Sequence, residues 1–80
     1  MKINKDCIVN SDGFLFNPHS GESFSVNSTA MDLLSLLKKE RTEQELFEHL
    51  KTSYEVDEFT LKADLNDFLF LLRIKGVVDE

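Results

Sequence analysis

The sequence predicts an α+β fold in which a three-stranded antiparallel sheet comes first and three helices follow. Three observations carry that prediction. Short N-terminal stretches alternate apolar and polar residues and are separated by two strong turn signals. From Asn27 onward, apolar residues recur at helical spacing behind three separate cap signals. The only proline and two of the three glycines fall within the first 27 residues, which concentrates the chain breakers in the sheet half.

The first strand is expected over Lys2 to Val9, with Ile3, Cys7 and Val9 on one side and Ile8 on the other. Asn10-Ser11-Asp12-Gly13 then turns the chain, with Gly13 able to take the left-handed conformation. Phe14-Leu15-Phe16 is the second strand. Pro18-His19-Ser20-Gly21 is a second turn, in which proline pre-sets φ and glycine permits φ > 0. The third strand is Glu22-Ser23-Phe24-Ser25-Val26-Asn27, alternating apolar and small polar residues. Two tight turns make a meander, so the third strand lies beside the second and keeps one unpaired edge. Such edges are usually blunted by charge or proline; this one carries two serines and a glutamate.

The first helix, about 28–40, is capped by Asn27 or Ser28. Its apolar face is Ala30, Met31, Leu33, Leu34, Leu36 and Leu37, and Lys38-Lys39 suit the negative end of its dipole. Thr42-Glu43-Gln44-Glu45 is a capping box that opens the second helix, about 43–53, with Leu46, Phe47 and Leu50 as its apolar residues. Asp57 caps a third helix of about 57–75, and Gly76 follows it as a natural terminator. Val77-Val78 form a short tail strand or pack on the core.

On a wheel of 100° per residue starting from residue 61, Leu61, Leu65, Phe68, Leu69 and Leu72 of the third helix gather within about 100°. Phe59, Ala63, Phe70 and Ile74 gather on the opposite side, at about 160–220°. Polar lanes separate them: Lys62, Asn66 and Arg73 in one, Thr60, Asp64 and Asp67 in the other. The second stripe either covers the sheet or stands with the third strand as one wall of a groove.

Eighty residues make one small domain, 1–80. A chain of that size buries only about 60–65% of its unfolded surface, so its core must be efficient. The 41% hydrophobic content and seven phenylalanines suit a folded chain rather than a disordered one. The lone Cys7 excludes an internal disulfide and fits a reducing compartment. The start lacks an apolar signal region, and the longest apolar run, Phe68 to Leu72, is far short of the roughly 18 residues that span a bilayer. The sequence thus reads as a free-standing cytoplasmic domain. A net charge of −6 argues against nucleic acid and anionic membrane as partners.

No residue set suggests catalysis. Glu45 and His49 share a helical face at i, i+4, but nothing completes a metal site; an ordinary solvated face explains them. His19 lies in a turn. Cys7 has neither a CxxC partner nor a neighbouring histidine and fits a buried strand position. Asp64 and Asp67, one turn apart, lack any phosphate-cradling loop. No cofactor is implied. The second helix, the connection over 52–56 and the third helix also suggest a helix-turn-helix, which would make the chain a winged-helix DNA-binding regulator. The third helix is acidic at its start, however, where DNA readers carry Arg and Lys. A generic protein-interaction domain is a further alternative.

Taken in order, the segments FLFNPHSGESFSVNSTAMDLLSLL, RTEQELFEHLKTSYEVD and LKADLNDFLFLLRIKGVV resemble the PqqD-like family, the RiPP recognition elements, from about Cys7 to Val78. One departure is Asn27-Ser28, where many members have Asn-Pro. The resemblance implies a winged helix-turn-helix-like fold and a non-catalytic peptide chaperone. Such proteins bind the leader of a ribosomally made precursor peptide and present it to a modifying enzyme, commonly a radical S-adenosylmethionine protein, as in pyrroloquinoline quinone assembly or related pathways. It implies that the leader adds as a strand along Glu22, Ser23, Phe24, Ser25 and Val26. A helix wall taken from the wheel comprises Phe59, Lys62, Ala63, Asn66 and Phe70. The same open edge could also pair with its own copy in a homodimer.

Overall fold

The computed structural model describes residues 1–79; Glu80, the last residue of the expected domain span, lies outside the described residues. The elements are β1 (Lys2–Ile3), β2 (Ile8–Asn10), β3 (Phe14–Asn17), β4 (Glu22–Ser25), α1 (Ser28–Leu36), α2 (Glu43–Ser53), α3 (Glu58–Ile74) and β5 (Val78–Asp79). β2, β3 and β4 form an antiparallel sheet in that order, which leaves β4 at an edge.

The expected first strand is in fact two strands in two different sheets. Asn4 breaks it: its side-chain oxygen accepts from the Asp6 amide at 2.9 Å and its carbonyl from the Cys7 amide at 3.0 Å. This is the turn that asparagine forms when its side chain imitates a backbone carbonyl. Residues 2–3 instead pair with the tail, Ile3 opposite Val78, in a two-stranded antiparallel sheet that joins the two ends of the fold. Val77-Val78 therefore does both things expected of it, since Val77 is also fully buried in the core.

The N-terminus also explains why α1 stops at Leu36, short of the expected residue 40. The Ile3 amide donates to the Leu37 carbonyl at 2.9 Å, and Arg41 Nε donates to the Leu36 carbonyl at 3.2 Å. Partners outside the helix thus take up its last free acceptors. The other caps follow the sequence. Asn27 Oδ1 accepts from the Ala30 amide at 2.8 Å, Thr42 and Glu45 complete a capping box, and Asp57 accepts from the Thr60 amide at 3.1 Å.

Leu15 from the sheet, Leu33, Leu34 and Leu37, Leu46 and Leu50, and the α3 stripe Leu61, Leu65, Leu69 and Leu72 make one core. The second α3 stripe does not cover the sheet. Phe59, Phe70 and Ile74 are 82%, 56% and 65% exposed.

A groove beside an open strand edge

β4 is held from one side only. Its register sets Phe14 opposite Ser25, Leu15 opposite Phe24 and Phe16 opposite Ser23. Just beyond the strand, the Val26 amide donates to the Gly13 carbonyl at 2.8 Å. Hydrogen-bonded pairs alternate along an antiparallel ladder. The backbone groups of Glu22, Phe24 and Val26 therefore point toward β3, and those of Ser23 and Ser25 point away, along the free edge. Side chains alternate with the same period. The serines lie on the solvent face with Ile8, Phe14 and Phe16, whereas Phe24 turns inward beside Leu15.

A cavity of about 280 Å³ runs between β4 and the C-terminal half of α3. Its strand side is Phe24, Ser25 and Val26; its helix side is Phe68, Leu71, Leu72 and Lys75; Leu15 and Val77 also line it. Lys75 closes one end. Its ammonium pairs with Glu22 at 3.1 Å and lies 5.4 Å from the centroid of the Phe24 ring. The frame under this end is polar but satisfied: buried Asn17 donates through Nδ2 to the Lys75 carbonyl at 2.9 Å and accepts from the His19 amide at 3.0 Å.

At its other end the cavity meets a second, of about 330 Å³, through the shared residues Asn27, Ala30 and Phe68. This compartment lies between α1, the α2–α3 connection and the N-terminal half of α3. Leu33, Leu50, Leu61 and Leu65 are its apolar base, with Tyr54, Val56 and Asp64 around it. The Tyr54 hydroxyl donates to Asp32 at 2.8 Å, which ties the connection to α1. The two compartments, together the groove, adjoin along α3 at Phe68.

Of the strand residues expected from the sequence, Phe24, Ser25 and Val26 line this groove, whereas Glu22 and Ser23 do not, and neither does the expected helix wall. Phe59, Lys62, Ala63, Asn66 and Phe70 are all exposed, and none lines either compartment. The groove uses the edge of the first apolar stripe, with Phe68, Leu71 and Lys75, and the lane that holds Asp64. One signal for this was present in the sequence: Leu71 is apolar, yet falls on the wheel beside the acidic lane and belongs to neither stripe.

The other residues weighed for chemistry stay apart. His19 Nε2 and Asp6 Oδ2 are 2.8 Å apart on the surface. The Glu45 carboxylate accepts from the Thr42 amide, which holds it below the usual carboxylate range. Burial, with Asp6 and Asp79 nearby, pushes the Cys7 thiol above its ordinary value. Among the described residues, no group of three or more His, Cys, Asp or Glu side chains is placed to hold a metal ion. No helix among them is long and apolar enough to cross a membrane.

The site is thus a small α+β domain's edge strand, β4, set beside an apolar groove along α3. The profile of the PqqD family (coenzyme PQQ synthesis protein D) matches residues 12–78, and the chain belongs to this family. Its structure is similar to that of TbiB1 in complex with the TbiA(β) leader peptide. The TM-score is 0.87 at 27% identity, over 99% of this chain and 95% of that one. It is also similar to lasso peptide synthetase B1 complexed with the leader peptide, with a TM-score of 0.81 over 99% of this chain and 96% of that one. At 21% identity the latter likeness concerns the fold alone. No curated protein matches the chain.

Proposed function

We propose that this protein is a non-catalytic adaptor that binds the leader of a ribosomally made precursor peptide and presents it to a peptide-modifying enzyme. The observation that carries the reading is the free edge of β4. There the amides and carbonyls of Ser23 and Ser25 have no strand beyond them among the described residues, beside an apolar groove. A leader segment adds along residues 22–27, exchanges main-chain hydrogen bonds with those two serines, and drops alternate side chains toward Phe24, Phe68 and Leu71. Main-chain bonds supply sequence-tolerant affinity and the groove supplies register. Ordering a flexible leader costs several kcal/mol, so affinities of roughly micromolar to submicromolar are expected. Family membership supports the reading, as does the likeness to a protein whose structure holds a leader peptide.

The partner enzyme is a radical S-adenosylmethionine protein or another peptide-modifying enzyme. In its absence, the same edge is available to pair with a second copy of the chain. A DNA-reading role is the poorer fit to the surface. Three of the cations on or near α3, Lys51, Arg73 and Lys75, are paired with Glu58, Glu43 and Glu22, which leaves Lys62 on its exposed face. Titrating the isotope-labelled protein with synthetic leaders of candidate precursors tests the proposal. Amide shifts should concentrate at residues 22–27 and on the Asp64, Phe68, Leu71 and Lys75 side of α3. Shifts at the outer stripe, Phe59 and Phe70, with none along β4, would sink it.

A further inference from the structure

The two compartments of the groove differ in charge. The ammonium at the β4 end, Lys75, is already committed to Glu22 and to the ring of Phe24. At the other end Asp64 is the only charged residue in the lining, and its carboxylate has neither a cation nor a hydrogen-bond donor among the described residues. Below it lie Leu61, Leu65 and Phe68. An apolar floor beneath a lone carboxylate matches a side chain with a long aliphatic stem and a cationic head.

We propose, building on the peptide-binding reading above, that the compartment at Asp64 selects a lysine or arginine of the bound peptide and so fixes its register. Asp64 and Lys75 are eleven positions apart on α3, about 16 Å along the helix axis. An extended chain covers that distance in about five residues. Side chains that face the same way recur every second residue. The basic residue therefore falls about four positions from the apolar residue that occupies the cavity beside Phe24. The stem lies on Leu61 and Phe68 while the head pairs with Asp64 near the mouth. A partly exposed pair of this kind changes affinity by roughly fivefold.

The test uses a phage-displayed library of random decapeptides selected against the intact chain and against Asp64→Asn, Asp64→Lys and Asp67→Asn. Asp67 follows Asp64 in the same acidic lane but lines neither compartment, so its variant reports the general pull of an acidic surface. The expected result is a Lys or Arg at constant spacing from an apolar residue with the wild-type chain and with Asp67→Asn. Asp64→Asn loses that preference and Asp64→Lys replaces it with Asp or Glu. Peptides that bind the β4 edge with no basic preference, or with one that survives Asp64→Asn, overturn the Asp64 assignment and leave strand addition standing. No enrichment by any folded variant overturns both.

Discussion

Replacing Ser25 by proline separates the working edge of β4 from the edge that holds the fold together. In the native ladder the Val26 amide donates inward to Gly13, so the Ser25 amide one residue earlier points outward. Proline at 25 therefore removes no hydrogen bond of the fold. The residue before it, Phe24, is already extended within β4, the conformation a following proline demands. Proline is tolerated at edge strands for this reason, and stability should change by no more than about 0.5 kcal/mol. An added strand is different. It exchanges two main-chain bonds with Ser23 and two with Ser25, each with a net value of about 1 kcal/mol. The proline ring removes the donor at 25 and holds the incoming carbonyl away, so both bonds of that pair are lost. The loss is about 2 kcal/mol, or roughly 30-fold in Kd. Fluorescence anisotropy with a library-selected decapeptide, run beside thermal unfolding, reads both quantities. Phe24→Pro is the contrasting variant, because its amide points toward Leu15 and its loss should lower Tm. A Ser25→Pro protein with native Tm and unchanged Kd would refute strand addition at this edge. One that fails to fold would refute the assigned direction of the ladder.

Further predictions address the frame around the groove. Asn17→Ala leaves the Lys75 carbonyl and the His19 amide without their partners in a site only 2% exposed. The cost should be about 2 kcal/mol, or about 10 °C in Tm for a domain of this size, and an unchanged melting curve would show that the tie is dispensable. Thr42→Ala dissolves the capping box of α2 and should cost about 1 kcal/mol by urea denaturation. Because Glu45 ionises more readily in the folded state, its share of that cap is present above its unfolded pKa and is lost as the pH falls through the lower folded value. Cys7 should alkylate more slowly at pH 8 than a free cysteine peptide, since burial and the nearby carboxylates disfavour its thiolate, and urea should restore the rate. With its folded pKa raised, the thiol's contribution is present below the unfolded pKa and fades as pH rises through the folded one. Equal alkylation rates with and without urea would contradict that placement.

Features that depend on neighbouring residues were legible in the sequence. The Thr42–Glu45 capping box, the Asn27 and Asp57 caps, the turns at Gly13 and Gly21 and the terminating Gly76 each involve only a few consecutive residues, and all three glycines take positive φ. The 3.6-residue period likewise identified Leu61, Leu65, Leu69 and Leu72 as core. The open edge of the third strand followed from two tight turns and a helix start directly after it.

Pairing between distant residues was not legible. Nothing near Asn4 announces that residues 2–3 will find residues 78–79, and that contact divides the first strand and puts Val78 in a ladder. The same limit applies to α3. A wheel states which residues share a face, but not which face a strand more than thirty residues away will meet. That rotation is set where Asn17 holds the Lys75 carbonyl and Glu22 holds the Lys75 ammonium. These contacts turn Phe68, Leu71 and Lys75 toward β4 and leave Phe59 and Phe70 in solvent. The sequence by itself determined the elements, the core stripe and the unpaired edge, because each rests on local geometry and hydrophobic period. Only the tertiary structure decided which side of α3 completes the groove, because that depends on contacts such as those of Asn17 and Glu22 with Lys75, which lie far apart in sequence.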